Sequence, residues 1–331
     1  MKQKTVAFQA QATNLFFHIL TACNLSCRHC YIRKDQHGAN TLSLATMETW
    51  LALFVRNNKT ANVIFLGGEP TLHPDLSRAV KAAREMGYAS ITIDSNGYLF
   101  HNILEKVTPQ DVDFFSFSLD GATAKTCDAI RGQGVFEICT KNARRAAEKG
   151  FATSLIYTVS EENIHELEKM PLLLKDLGIR RFFIQVLGMR GNSVQDPGQR
   201  QVTREIWTSL VPQVAREVAS LGIGVTWPKV FLNPEEAFEC AGLVADNFFV
   251  FPNGRVYRCP LCEDYPIHAF EIRENVLVPR PPLHEAHFFP LRIPEGCVMN
   301  RLVQGENLRY LEDGTPAYRI ACCLLKEEIL P

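Results

Sequence analysis

Cys23, Cys27 and Cys30 stand at CxxxCxxC spacing in the stretch CNLSCRHCY. Placed four and three residues apart, their side chains can turn toward one point on a compact loop. Soft thiolates select iron–sulfur clusters or zinc over hard cations. Three is a useful number: a four-iron cubane held by three protein sulfurs keeps one iron open, as catalytic metal sites keep a coordination position free. Structural zinc with a distant fourth ligand is the alternative, and His29 would tempt that assignment. A second group, Cys240, Cys259, Cys262, Cys297, Cys322 and Cys323, lies in the last third of the chain. Cys127 and Cys139 fall between the groups without a metal-like spacing and read as small buried hydrophobes. The total of eleven is odd, so complete pairing within the chain is excluded. Disulfide-stapled secreted domains are usually much shorter. The start MKQKTVAFQAQATNLFF has no apolar core with a small-residue cleavage site. Both groups therefore read as reduced thiolates holding metal, in an oxygen-sensitive cytoplasmic protein.

The elements that must position these thiolates follow from the apolar pattern. The 331 residues carry 35 basic and 36 acidic side chains, and 46% are hydrophobic, too apolar for a disordered chain. Balanced charge argues against a dominant nucleic-acid footprint, and no stretch approaches the roughly 18 apolar residues of a membrane span. Six β-rich runs recur, at residues 14–22, 62–68, 89–97, 113–121, 153–160 and 180–188. Each is nearly continuous, as in strands covered on both faces. Helical stretches separate them, with Ser43 as a cap, Gly87, Gly150 and Gly178 as stops, and Pro171 as an internal break or a second start. Parallel βα repetition follows. Six units fall short of a closed eight-stranded barrel, so the expectation is an α/β fold, a partial (β/α)6 TIM-like barrel with a small C-terminal iron–sulfur extension. Catalytic groups belong at the C-terminal strand ends. The expected layout is a lead-in over 1–13, the core over 14–192, a linking helix and strand over 193–234, and a cysteine-rich domain over 235–331. In that last part FFVFPNGRVYRC reads as a hairpin turning at Pro252, Asn253 and Gly254. The Pro-rich VLVPRPPLHEAHFFPLRIPEG reads as a break in regular structure.

CNLSCRHCY resembles the cluster-binding loop of the radical S-adenosylmethionine (SAM) superfamily, with His29 as the aromatic-type residue before the third cysteine. The resemblance spans roughly residues 14–190. It implies a [4Fe–4S] cluster on Cys23, Cys27 and Cys30, SAM chelated at the open iron, and reductive cleavage to a 5'-deoxyadenosyl radical that abstracts hydrogen. Gly67, Gly68, Glu69 and Pro70 form GGEP after the second run, matching the segment that holds the methionine amino group in the family. Glycines there let backbone approach a ligand closely; a plain strand-to-helix turn is the alternative. Ser95-Asn96-Gly97 and Ser118-Leu119-Asp120-Gly121 match two further strand ends, so Ser95, Asn96 and Ser118 are expected near SAM. Asp120 faces substrate or caps a helix. Arg131, in AIRGQGVF, is a carboxylate anchor or a surface turn. Gln185 lines the cavity if its strand points it inward, and Arg190 in GMRGN could meet an acidic substrate group.

Cys240, a glycine turn at Gly254, Cys259 and Cys262 resemble the start of a SPASM or Twitch extension. The dense middle cysteine block of a two-cluster extension is missing. One auxiliary [4Fe–4S] cluster is therefore implied, on Cys240, Cys259, Cys262 and Cys297, with Cys322 or Cys323 able to replace one of them; four-thiolate zinc is the alternative. The implied function is oxidoreductase-type radical chemistry in peptide or protein modification, served by a flavodoxin or ferredoxin type reductant. Tetrapyrrole or small-molecule cofactor synthesis and a non-catalytic iron–sulfur scaffold are the alternatives.

Overall fold

A computed structural model describes residues 10–55, 60–233, 235–280 and 282–331. Residues 1–9 of the expected lead-in, and 56–59 at the end of the first expected helix, lie outside the described residues. The six apolar runs form six strands: β1 Ala12–His18, β2 Thr60–Leu66, β3 Ser90–Ser95, β4 Phe114–Ser118, β5 Thr153–Val159 and β6 Arg181–Val186. They pair in sequence order, all parallel. The linking strand β7, Gly224–Pro228, continues the parallel set beside β6.

Helices form where the signals placed them. Ser43 caps Leu44–Phe54 by accepting the Thr46 N–H. Pro171 is a second start: a 3-10 turn over Ile164–Lys169 gives way to an α-helix over Met170–Asp176 with Pro171 in its first turn. Gly87 and Gly150 adopt φ of 90° and 85° just past their helices, a region open to glycine without strain.

The C-terminal part does not stand apart from this sheet. After β8 (Phe231–Leu232), strand β9 (Asp246–Val250) lies parallel against the free side of β1. The expected hairpin is β9 with β10, Arg255–Tyr257. Then β11 (Phe270–Arg273) and β12 (Val276–Pro279) extend the same edge antiparallel. The Pro-rich segment thus begins with a strand, because VLVP offers β11 a ladder partner before the next proline. The short β13 (Arg319–Ile320) pairs with β8, and β14 (Lys326–Ile329) closes the other edge against β7. Among the described residues, twelve strands form one sheet, in the order β12-β11-β10-β9-β1-β2-β3-β4-β5-β6-β7-β14.

Both faces of the sheet are covered over most of β1 to β4, as the continuous apolar runs imply, but not over β5 and β6. Leu15, Phe17, Phe65, Ile93, Phe115, Phe117, Leu155 and Tyr157 are fully buried in one core cluster. On the last two of these strands the intervening positions are only partly covered: β5 alternates buried and half-buried along its length, and β6 does so until Gln185 is exposed. Phe16, Asp94, Ser118, Ile156, Thr158 and Phe183 share that less covered face. Aromatic and β-branched residues at these positions kept the alternation from showing as polarity.

Candidate functional site

The loop after β1 carries the first cysteine group, and the β1–β2 ladder aims it. Beyond β1, Ile19 N–H donates to Leu66 O, Gly68 N–H to Leu20 O and Glu69 N–H to Ala22 O, at 3.1, 3.0 and 2.9 Å. GGE is therefore zipped to the residues leading into Cys23. Gly67, at φ 146°, and Gly68 are required by this approach. An added Cβ would sit 2.2 Å from Leu20 O at the first and 2.1 Å from Ala22 O at the second. The near neighbour of both glycines is protein backbone.

Glu69 is buried and gathers the next strand end. Its Oε1 accepts from Thr71 N, Thr71 Oγ1 and Ser95 Oγ, and its Oε2 from Asn96 N. Burial pushes its carboxyl up against these donors. Ser95 Oγ also accepts the Gly97 N–H at 2.9 Å, so this hydroxyl is engaged inside the protein. Asn96 reaches back to the cysteine loop, its Nδ2 3.0 Å from Asn24 Oδ1 and 3.7 Å from Cys23 Sγ. Ser118 ends β4 half-buried.

Asp120 is neither a helix cap nor open to a ligand. It is fully buried, with its Oδ2 2.6 Å from Arg131 Nε and 3.2 Å from His29 Nε2, and its Oδ1 accepts the Thr158 N–H. Burial opposes its charge, yet Arg131 and His29 together hold the carboxyl well below the usual range. Arg131 is likewise buried, so the surface-turn reading fails; its guanidinium lies between Asp120 and Cys27, with Nη1 4.0 Å from the sulfur. Burial pushes the Cys27 thiol up to about 11, and Arg131 opposes this. Cys23 and Cys30 are raised by burial too. A cluster takes these sulfurs as thiolates, so its binding is coupled to proton release.

The segment after β6 forms the other wall of the loop. Asn192 N–H donates to Cys30 O at 2.8 Å and Asn192 Nδ2 to Cys27 O at 3.0 Å. Arg190 does not face outward to an acidic substrate group. Its guanidinium stacks over Tyr31 at 4.5 Å and donates to Pro260 O and Glu263 Oε2, joining the first cysteine loop to the Cys259–Cys262 turn. Tyr31 in turn meets His18 Nε2 at 2.8 Å. Gln185, beside Thr158 in the register, shares the less covered face with Phe183.

The second group converges from four places in the chain. Cys240 precedes a short helix, Cys259 and Cys262 bracket a 3-10 turn after β10, Cys297 caps Val298–Val303, and Cys322 and Cys323 follow β13. The thiols of Cys240 and Cys323 hydrogen-bond to Cys322, and those of Cys259 and Cys262 to each other. Cys297 lies within charge reach of Cys322 and Cys259. Hydrogen bonds from Cys240 and Cys323 pull the Cys322 thiol well below its ordinary value. All eleven cysteines are free. Among the described residues, no three His, Cys, Asp or Glu side chains close around a point tightly enough for a single ion.

Several residues carried no sequence signal. Glu285 lies fully buried in the Pro-rich segment, where it accepts from the Cys259 and Ala269 N–H groups and is pushed up to about 8 by burial. Asp94 sits on the less covered face, hydrogen-bonded to Ser116 and raised to about 7 by burial. Lys326 lies beside Cys322 and Cys323 with its ammonium 4.5 Å from the Phe183 ring centroid. Their spacing from the motifs is arbitrary, so only folding reveals them.

Residues 18–174 match the profile of the radical SAM superfamily, and that span contains the cysteine loop, GGEP and both serine motifs. That segment is a radical SAM domain. A [4Fe–4S] cluster and SAM are the cofactors of this superfamily, and three free thiols on one loop are the donor chemistry that such a cluster needs. The chain is 28% identical to pre-heme d1 synthase of Dinoroseobacter shibae, over 56% of this chain but only 46% of that protein. It is 26% identical to the mycofactocin maturase MftC of Mycobacterium ulcerans over 279 residues, 80% of this chain and 71% of that protein. In fold it is similar to Streptococcus suis SuiB in the structure bound to S-adenosylmethionine. The TM-score is 0.62 at 16% identity, covering 76% of this chain and 61% of that one. Among the described residues no helix is long and apolar enough to cross a membrane.

Proposed function

We propose that the protein is a radical SAM enzyme that modifies a peptide or protein substrate. The observation that carries the reading is the closure of the cysteine loop by the other motifs. Gly67 and Gly68 zip to the residues before Cys23, Asn96 reaches Cys23, and Arg131 lies beside Cys27. When bound on Cys23, Cys27 and Cys30, the reduced cluster supplies the electron that cleaves SAM to a hydrogen-abstracting 5'-deoxyadenosyl radical. The chain's own residues orient and shield. Glu69 and Ser95 brace the strand ends from beneath, Asn96 and Ser118 border the SAM pocket, and the Asp120–Arg131–His29 group holds the loop from below. Gln185 and Asp94 line the less covered face, where substrate is placed between the strand ends and the C-terminal part.

Cys240, Cys259, Cys262 and Cys297 are proposed to hold one auxiliary [4Fe–4S] cluster. Cys322 or Cys323 is the alternative ligand, since both follow β13 into the same group. The preference for a peptide over a tetrapyrrole rests on length. The match to the maturase MftC covers 80% of this chain, whereas that to pre-heme d1 synthase covers 56%. SuiB has also been solved with its precursor peptide SuiA. A flavodoxin or ferredoxin type reductant and a cytoplasmic setting complete the proposal.

Anaerobic incubation with dithionite and SAM tests it. Wild-type protein releases 5'-deoxyadenosine and Cys27→Ala releases none; absence of product from fully loaded wild type leaves a scaffold. Cys259→Ala still makes 5'-deoxyadenosine but fails to convert peptide, followed by untargeted mass spectrometry in cell extract. A product formed equally by Cys259→Ala removes the second cysteine group from turnover.

A further inference from the structure

Away from both cysteine groups, the edge formed by β10, β11 and β12 holds a pocket of about 310 Å³ lined by Asn253, Arg255, His268, Glu271, Arg273 and Arg280. Three guanidiniums face one carboxylate. Glu271 is shared between Arg273, at 2.8 Å, and Arg280, at 3.4 Å. Arg255 has no carboxylate partner among the described residues; its Nη1 donates to the backbone oxygen of Gln36 at 3.1 Å. Asn253 Nδ2 donates to the same oxygen, and its Oδ1 accepts the Arg255 N–H, so Asn253 is fully engaged. The pocket thus carries excess positive charge that nothing within it answers.

His268 is the second, independent observation. It is only 4% exposed, and neither ring nitrogen has a hydrogen-bond partner. Its ring packs near Tyr257, with centroids 5.6 Å apart, and lines the pocket. A buried imidazole with both nitrogens idle is costly unless something else bonds to it. Burial, Arg255 and Arg280 lower its pKa to about 4, so it stays neutral and offers one N–H. A neutral N–H donor beside unneutralised guanidiniums suits an acceptor-rich, negatively charged group.

We propose that this pocket binds an oxyanion, a phosphate or carboxylate group of a small ligand, gripped by Arg255 and Arg280 with His268 donating from the floor. The volume suits such a group rather than a macromolecular surface. The site is separate from both cysteine groups and does not depend on the radical reading. Gln36, in the short helix that follows the cysteine loop, borders the pocket, and its side chain also donates to Tyr257 Oη at 2.7 Å.

The test is isothermal titration of anaerobically reconstituted full-length protein with inorganic phosphate and, separately, succinate, at low salt. Saturable one-to-one binding of either probe is expected, weakened about tenfold or more by Arg255→Gln and by His268→Phe. Arg301→Gln, whose side chain is 53% exposed and paired with Glu295 elsewhere, leaves it unchanged. Tighter phosphate identifies a phosphoryl ligand and tighter succinate a carboxylate. Should His268→Phe fail to fold by circular dichroism, Arg280→Gln, at a 40% exposed side chain, replaces it. No saturable binding of either probe up to millimolar concentration, or binding untouched by Arg255→Gln and by the second variant, overturns the proposal.

Discussion

Gly68→Ala should empty the first cluster site before it touches SAM. The added methyl would lie 2.1 Å from Ala22 O, 2.5 Å from Ala22 C and 2.6 Å from Thr21 O. Ordinary contact begins near 3.4 Å, so the two backbones must part by about 1.3 Å. All three atoms are backbone and no rotamer can relieve the clash. The separation pulls on the bonds from Gly68 N–H to Leu20 O and Glu69 N–H to Ala22 O, which together set the entry to Cys23. Overpacking of this kind costs about 1–3 kcal/mol. If that cost falls on the cluster-competent loop, cluster affinity drops roughly 10- to 100-fold. The assay is iron and sulfide per chain after anaerobic reconstitution at limiting iron, with electron paramagnetic resonance of the reduced protein. A Cys23→Ala/Cys27→Ala/Cys30→Ala variant isolates iron held by the second group. Gly305→Ala is the control, because nothing lies within 4 Å of its added Cβ. Full loading of the first site in Gly68→Ala, with only SAM affinity reduced, would refute the reasoning: the glycine would then be making room for ligand rather than for Ala22.

Three further outcomes follow from buried charge. Asp120→Asn leaves the Arg131 guanidinium uncompensated and should cost about 3–5 kcal/mol in urea unfolding; because Asp120 titrates well below the ordinary range, the gap to wild type should stay constant from pH 5 to 8. Arg190→Met strands Glu263 and should lower the melting temperature, with Arg190→Met/Glu263→Gln recovering most of the loss; two additive losses would show that the pair does not interact. Burial lowers His18 to about 3, so the folded chain refuses a proton that the unfolded chain accepts below about 6.5. Stability should be full above that pH and fall as pH drops toward 3, by at most about 5 kcal/mol. In His18→Gln that slope should flatten, read from urea midpoints between pH 4.5 and 7.5.

The parts legible in the sequence were those whose signal is local. Cysteine spacing, six apolar runs, helix stops at Gly87 and Gly150 and the turn at Gly254 depend on neighbours a few residues away, and each stands where the sequence puts it. The placement of β9 against β1 has no local signal: Asn14 pairs in register with Asn247, more than two hundred residues distant, and their side chains share a hydrogen bond at 2.9 Å. That pairing merges the C-terminal part with the core sheet and sets Pro260 within reach of Arg190. Charge roles were hidden for the same reason. In sequence Asp120, Arg131 and His29 are a turn residue, a helix end and a loop aromatic; only the fold buries them together, where low dielectric makes each partner obligatory. GGEP shows both sides of the division. Its composition marked a close backbone approach, because only glycine tolerates one. What approaches, the backbone of Leu20 and Ala22, was decided by the parallel register of β1 and β2.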